Sequence, residues 1–161
     1  MNVYLLLCAL RGALEPKLAT LPLPTRSREK HPPQGGPESL RSATVYIGDL
    51  PPKKAGEEIQ PPFVVLQDLN GKHLDGFHHV QVGLRVSIWN EDPEGALNDL
   101  HNLMSLLIRA CGAFRSAPLD GRYKLVPDDD GAVCNWFRPD EQNPPFREGY
   151  IITRWHMAGL E

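Results

Sequence analysis

The stretch His78-His79-Val80-Gln81-Val82-Gly83-Leu84-Arg85-Val86-Ser87-Ile88-Trp89 alternates strictly along its length. Val80, Val82, Leu84, Val86 and Ile88 fall on one side, and Gln81, Gly83, Arg85, Ser87 and Trp89 on the other. Successive strand residues point to opposite faces, so this pattern predicts a strand with one buried face and one more polar face. A helix signal follows at once. Asp92 suits an N-cap, Pro93 the first helical position, and Glu94 the positive end of the helix dipole. Leu97, Leu100, Leu103, Met104, Leu107, Ile108 and Cys111 then recur at three- and four-residue steps, with Gly112 as a terminator. Such a broad apolar stripe belongs across the inner face of a sheet, as core and not as a cofactor box.

Outward from this pair, Thr44-Val45-Tyr46-Ile47 reads as a short strand from its β-branched and aromatic content. Phe63-Val64-Val65-Leu66 opens a second strand behind Pro61-Pro62, and Asn70-Gly71 reads as a turn. Between them, residues 50–59 read as a polar hairpin arm. Past the long helix, strands are expected near Tyr123–Val126, Val133–Phe137 and Gly149–Met157, the first two separated by a tight turn at Asp128-Asp129-Asp130-Gly131. Residues 1–14 suit a short first helix that ends by Glu15, because Pro16 disfavours helical geometry in the residue before it. No Lys or Arg precedes its apolar run, which favours a helix packed on the domain over a secretion signal. The run is also too short to span a bilayer. Short connections between adjacent strands favour antiparallel pairing. The expected fold is α+β: a mainly antiparallel sheet, a long amphipathic helix on one face and a short N-terminal helix.

The length of 161 residues fits a single domain over residues 1–161. Sixteen prolines are about twice the usual share and predict long, stiffened loops. Residues 16–42 hold six of them with Gly35 and Gly36 and no hydrophobic period, so they read as a Pro/Gly-rich loop insertion, either functional or a linker. The net charge of −3 argues against a strong general attraction to nucleic acid or acidic membrane. Cys8, Cys111 and Cys134 are odd in number and widely spaced, and read as reduced thiols in a cytoplasmic setting.

Motifs that carry chemistry are not found. The Asp128-Asp129-Asp130-Gly131 run lacks the ligand spacing of a calcium loop, with Val126 and Phe137 in the first and last ligand positions. His78 and His79 are adjacent on a strand and point apart, and His73, His101 and His156 have no ligand-spaced partner in sequence. Nucleophile elbows, Walker loops and dinucleotide fingerprints are missing. No catalytic residue, cofactor or metal is therefore assigned, and a non-enzymatic protein is expected. Trp89, Trp136 and Trp155 all fall on strands, where core packing is the default role. Trp89 or Trp155, read as lying on the less apolar face, is a candidate anchor for a subunit contact.

The layout resembles the tail terminator (tail completion) proteins of long-tailed bacteriophages and prophages. The similarity runs through Pro62-Phe63-Val64-Val65, the alternating Val80–Trp89 strand, the helix opening at Gly95-Ala96-Leu97-Asn98-Asp99-Leu100 and ending Leu106-Leu107-Ile108-Arg109, and the closing Gly149-Tyr150-Ile151-Ile152-Thr153-Arg154-Trp155 strand. It covers residues 1–14 and 43–157; the insertion at 16–42 departs from the family's compact pattern. The resemblance implies a homohexameric ring in the phage neck, at the head-proximal end of the virion tail. Such a ring caps the tail tube, ends its polymerisation and offers a docking surface for the head. Implied partners are the tail tube protein, head–tail connector proteins and DNA passing through the lumen without sequence specificity, with no membrane. Lys53, Lys54, Glu57 and Glu58 are then expected to contact a neighbouring subunit or the tube, and Arg26, Arg28 and Lys30 another neck protein or DNA. Two other readings stay open: a different neck component, such as a head-closure protein, and a small bacterial enzyme or ligand-binding α+β domain.

Overall fold

A computed structural model describes residues 2–26, 39–52 and 59–158. Helix α1 spans Val3–Leu18, followed by strands β1 (Leu23–Thr25), β2 (Ser39–Arg41), β3 (Thr44–Ile47), β4 (Phe63–Leu74) and β5 (Phe77–Trp89). Helix α2 (Pro93–Gly112) runs into a 3-10 turn at Ala113–Arg115, and β6 (Tyr123–Val126), β7 (Cys134–Phe137) and β8 (Phe146–Ala158) complete the order. The main sheet has six strands in the order β3-β4-β5-β8-β6, with β7 also paired to β8. All its pairings are antiparallel except β3 with β4. The fold is α+β, as the alternating strand and the helix after it imply.

Pairing register fixes which residues share a face. Val80, Val82, Leu84 and Val86 of β5 stand opposite Trp155, Thr153, Ile151 and Gly149 of β8, and Val86 and Leu84 stand opposite Val64 and Leu66 of β4. These residues form the inner face, on which Ala96, Leu100, Leu103, Met104, Leu107 and Cys111 of α2 are buried with them in one core. The N-cap forms as expected: Asp92 Oδ2 accepts a hydrogen bond from the Gly95 N–H at 2.8 Å. The close seat of α2 needs Gly149, where a Cβ would lie 2.4 Å from Met104 Sδ.

Four expectations change. Helix α1 runs through Pro16 to Leu18 instead of stopping by Glu15. A helix-interior proline costs about 3 kcal/mol. Leu14 and Leu18 are both buried on the same side, and at about 1.5–3 kcal/mol per buried leucine they offset that cost. The turn after β4 is at Asp75-Gly76, both with positive φ (51° and 77°), and not at Asn70-Gly71, which lies inside β4. Because β3 and β4 run parallel, residues 48–62 form a crossover and not a hairpin arm; parallel neighbours need a connection of about a dozen residues or more. Residues 53–58 of that crossover lie outside the described residues. Finally, the described parts of 16–42 are ordered into α1 and the β1–β2 antiparallel pair. Arg41 ties this pair down: its Nη1 donates to Thr44 Oγ1 at 2.8 Å and its Nη2 to the Gln60 carbonyl.

Candidate functional site: the outer face of the sheet

With α2 packed across the inner face, most of the sheet's open surface lies on the opposite side. That outer face has two halves. Near the start of β4 and the end of β5, Phe63, Val65, Ser87 and Trp89 are buried. Toward the Asp75-Gly76 turn the face opens, and Leu69, Leu74 and Phe77 are exposed.

A β-bulge decides what the open half presents. The β4–β5 register shifts between Asp68 and Asn70, so one extra residue enters β4 there. Leu69 folds over Gly83, where a side chain would meet its Cδ1 at 3.1 Å. Beyond the bulge, Lys72 stands opposite His79, His79 opposite His156, and His156 opposite Lys124. Lysine, histidine, histidine and lysine thus form one row across β4, β5, β8 and β6. The two imidazoles touch, with ring centroids 4.0 Å apart and planes at 81°. Phe77 stacks on His156 from the turn side at 5.9 Å.

A cavity of about 250 Å³ opens beside the row, lined by Asn70, Lys72, His79, Gln81 and Arg154 among others. Asn70 Nδ2 donates to Gln81 Oε1 at 2.7 Å. Arg154 is engaged by Asp129, its Nη1 donating to Oδ1 at 2.7 Å. That guanidinium holds the Asp129 carboxyl below its usual range, and the charge of Lys72 acts in the same direction. Burial pushes His156 down from the ordinary histidine value, and His79, Lys124 and Arg154 add to the effect. A larger open groove, about 570 Å³, lies between the end of α2 and β6, lined by Gly112, Arg115, Ser116 and Lys124 with Leu125–Pro127. Among the described residues, no group of three or more His, Cys, Asp or Glu side chains is placed to hold a metal ion.

The residues singled out from sequence fare unevenly. Lys53, Lys54, Glu57, Glu58, Arg28 and Lys30 lie outside the described residues. Arg26 is exposed just past β1. Trp155 is corrected: it points to the inner face, is 0% exposed, and donates its indole N–H to Thr153 Oγ1 at 2.9 Å. Trp89 does lie on the outer face but is only 8% exposed. Neither offers surface to another subunit in this structure. The exposed tryptophan is Trp136, at 52%, with its ring 5.7 Å from that of His101 on α2. The histidines also differ from expectation. His78 and His79 do point apart, yet His73 faces His78 and His156 faces His79 across strand pairs.

The Lys72–His79–His156–Lys124 row is invisible in a linear reading, since its members are brought together only by pairing register. The alternation of 78–89 could place His79 on the outer face, but the bulge that turns Lys72 toward it has no sequence signature. No protein-family model matches this chain, and no curated protein sequence matches it.

Proposed function

We propose that this chain is a structural protein of a phage tail, which assembles as a ring on the tail tube, ends its polymerisation and presents a docking surface to the head. The observation that supports this most is the condition of the sheet's two flanks. From Gln67 to Leu74, β4 has no described strand on the side away from β5. At the opposite flank, β6 and β7 each pair with β8 alone among the described strands. Two unlike open edges on one subunit are what a head-to-tail, closing interface requires. Unpaired edge groups also favour addition of a neighbour's strand.

In this reading, Leu69 and Leu74 at the end of the β4–β5 hairpin supply apolar contact area, in place of Trp89 and Trp155. Lys53, Lys54, Glu57 and Glu58 on the β3–β4 crossover set register with a neighbour through opposite charges. Arg26, Arg28 and Lys30 face a neck protein or DNA. The test is deletion of the gene from the phage or prophage that carries it, followed by electron microscopy of the particles. Overlong, headless tails are expected. Tails of normal length with heads attached would overturn the proposal. Mass photometry of the purified protein with its tube partner adds the ring size: six copies fit this reading, and another number points to a different neck component.

A further inference from the structure

The Lys72–His79–His156–Lys124 row has a length, a charge and a set of neighbours that together describe a ligand. Strands in a sheet lie about 4.8 Å apart, so three spacings carry the row over about 14 Å. A single oxyanion is too short to use all four groups, whereas two or three successive phosphates of an extended chain are not. The row contains no acid, and the nearby Asp129 is committed to Arg154. An exposed ring lies at the row itself, Phe77 stacked beside His156, and a second, Phe137 stacked on Tyr150 with centroids 5.0 Å apart, lies on the same face about 20 Å further along β8. Cationic groups that follow a backbone, next to aromatic faces that take bases, are the components of single-strand recognition. An acidic peptide would use the charges and leave the rings idle.

We propose that the open half of the outer face binds a single strand of nucleic acid, its phosphodiester backbone along Lys72, His79, His156 and Lys124 and a base on Phe77. The site does not depend on the tail reading, since a subunit that caps nothing would show it equally. Its strength varies with pH. His156 is faced by His79 on β5, Lys124 on β6 and Arg154 on its own strand, and His79 by Lys72 on β4; Lys72 and Arg154 both act on the Asp129 carboxylate, on the loop before β7. A bound phosphate supplies negative charge that favours the protonated form of His156.

The test is fluorescence anisotropy of a labelled oligothymidylate with the full-length protein, over a range of salt concentrations. Each neutralised phosphate on a single strand contributes about 0.7 to the slope of log affinity against log salt, so two lysines give about 1.4 near pH 8, and protonation of His156 raises this to about 2.1 at low pH. The exposed double variant K72E/K124E is expected to weaken binding by at least about tenfold at low salt, and Phe77→Ala by about fivefold or more. H79Q/H156Q should keep the binding near pH 8 and lose the gain at low pH. A circular dichroism melt confirms that each variant is folded. Wild-type affinity in K72E/K124E, a slope that ignores pH, tighter binding of duplex than of single strand, or equal competition by polyglutamate would each overturn the assignment. Ring formation with the tube partner is read separately by mass photometry, so failure here leaves the tail proposal standing and the reverse also holds.

Discussion

Trp155 and Thr153, two residues apart on the inner face of β8, form a buried relay: the indole N–H donates to the threonine hydroxyl at 2.9 Å, and that hydroxyl donates to the Val82 carbonyl of β5 at 2.9 Å. Both residues are buried, Trp155 completely. The largest side chain in the core therefore has its polar atom satisfied by the neighbouring strand, through one hydroxyl.

Thr153→Val keeps the shape and removes that hydroxyl. An orphaned buried donor costs about 1–3 kcal/mol, and the indole N–H would become one. Urea denaturation should show a lower midpoint by that amount with an unchanged slope, and Thr153→Ser should recover most of it. Equal stability of the valine and serine variants would show that the relay contributes nothing.

The hairpin turn gives a second expectation. Gly76 sits at φ 77°, next to Asp75 at φ 51°, a region that costs an L side chain about 1–2 kcal/mol. Nothing crowds a Cβ at Gly76, so Gly76→Ala isolates the backbone cost. A loss of about 1 kcal/mol in thermal or urea unfolding is expected, and Asp75→Gly should be tolerated. A stable Gly76→Ala protein would contradict the turn geometry.

His156 predicts the sign of one pH effect. Its folded pKa lies below the ordinary histidine value, chiefly through burial. Between the two values the unfolded chain binds more protons, so stability rises with pH there. The contribution is complete above the unfolded pKa and is lost as pH falls through the folded one. In NMR titration its ring should have a midpoint below that of free histidine. His156→Gln should flatten the stability profile in that window, and an unaltered profile would contradict the shift.

The fold was legible where one periodicity held without interruption. Val80 to Ile88 and Leu100 to Cys111 each repeat cleanly, and the sheet–helix layer follows from them. Legibility failed where tertiary packing outvoted a local signal. Pro16 was read as a stop, but Leu18 is buried and carries the helix past it. Asn70-Gly71 was read as a turn, but pairing with Gln81 and Val80 keeps both residues in β4. Trp155 was assigned to the polar face because pairing with Val80, which places it inside, is not written in its own segment. The outer-face row was missed for the same reason: each member lies on a different strand, and only Lys72, His79, His156 and Lys124 together have meaning.

The extra residue between Asp68 and Asn70 behaves as a phase setting for the distal hairpin. Before it, even-numbered β4 residues face the core; after it, odd-numbered ones do. Loss of the Leu69 codon would remove the extra residue and close the bulge, leaving Asn70 opposite Gln81 and Lys72 opposite His79. If Leu69 instead paired regularly opposite Gln81, every later β4 residue would slip by one, Gly71 would stand opposite His79 and Lys72 would turn inward, which would switch the patch off and leave the proximal strand pairing intact.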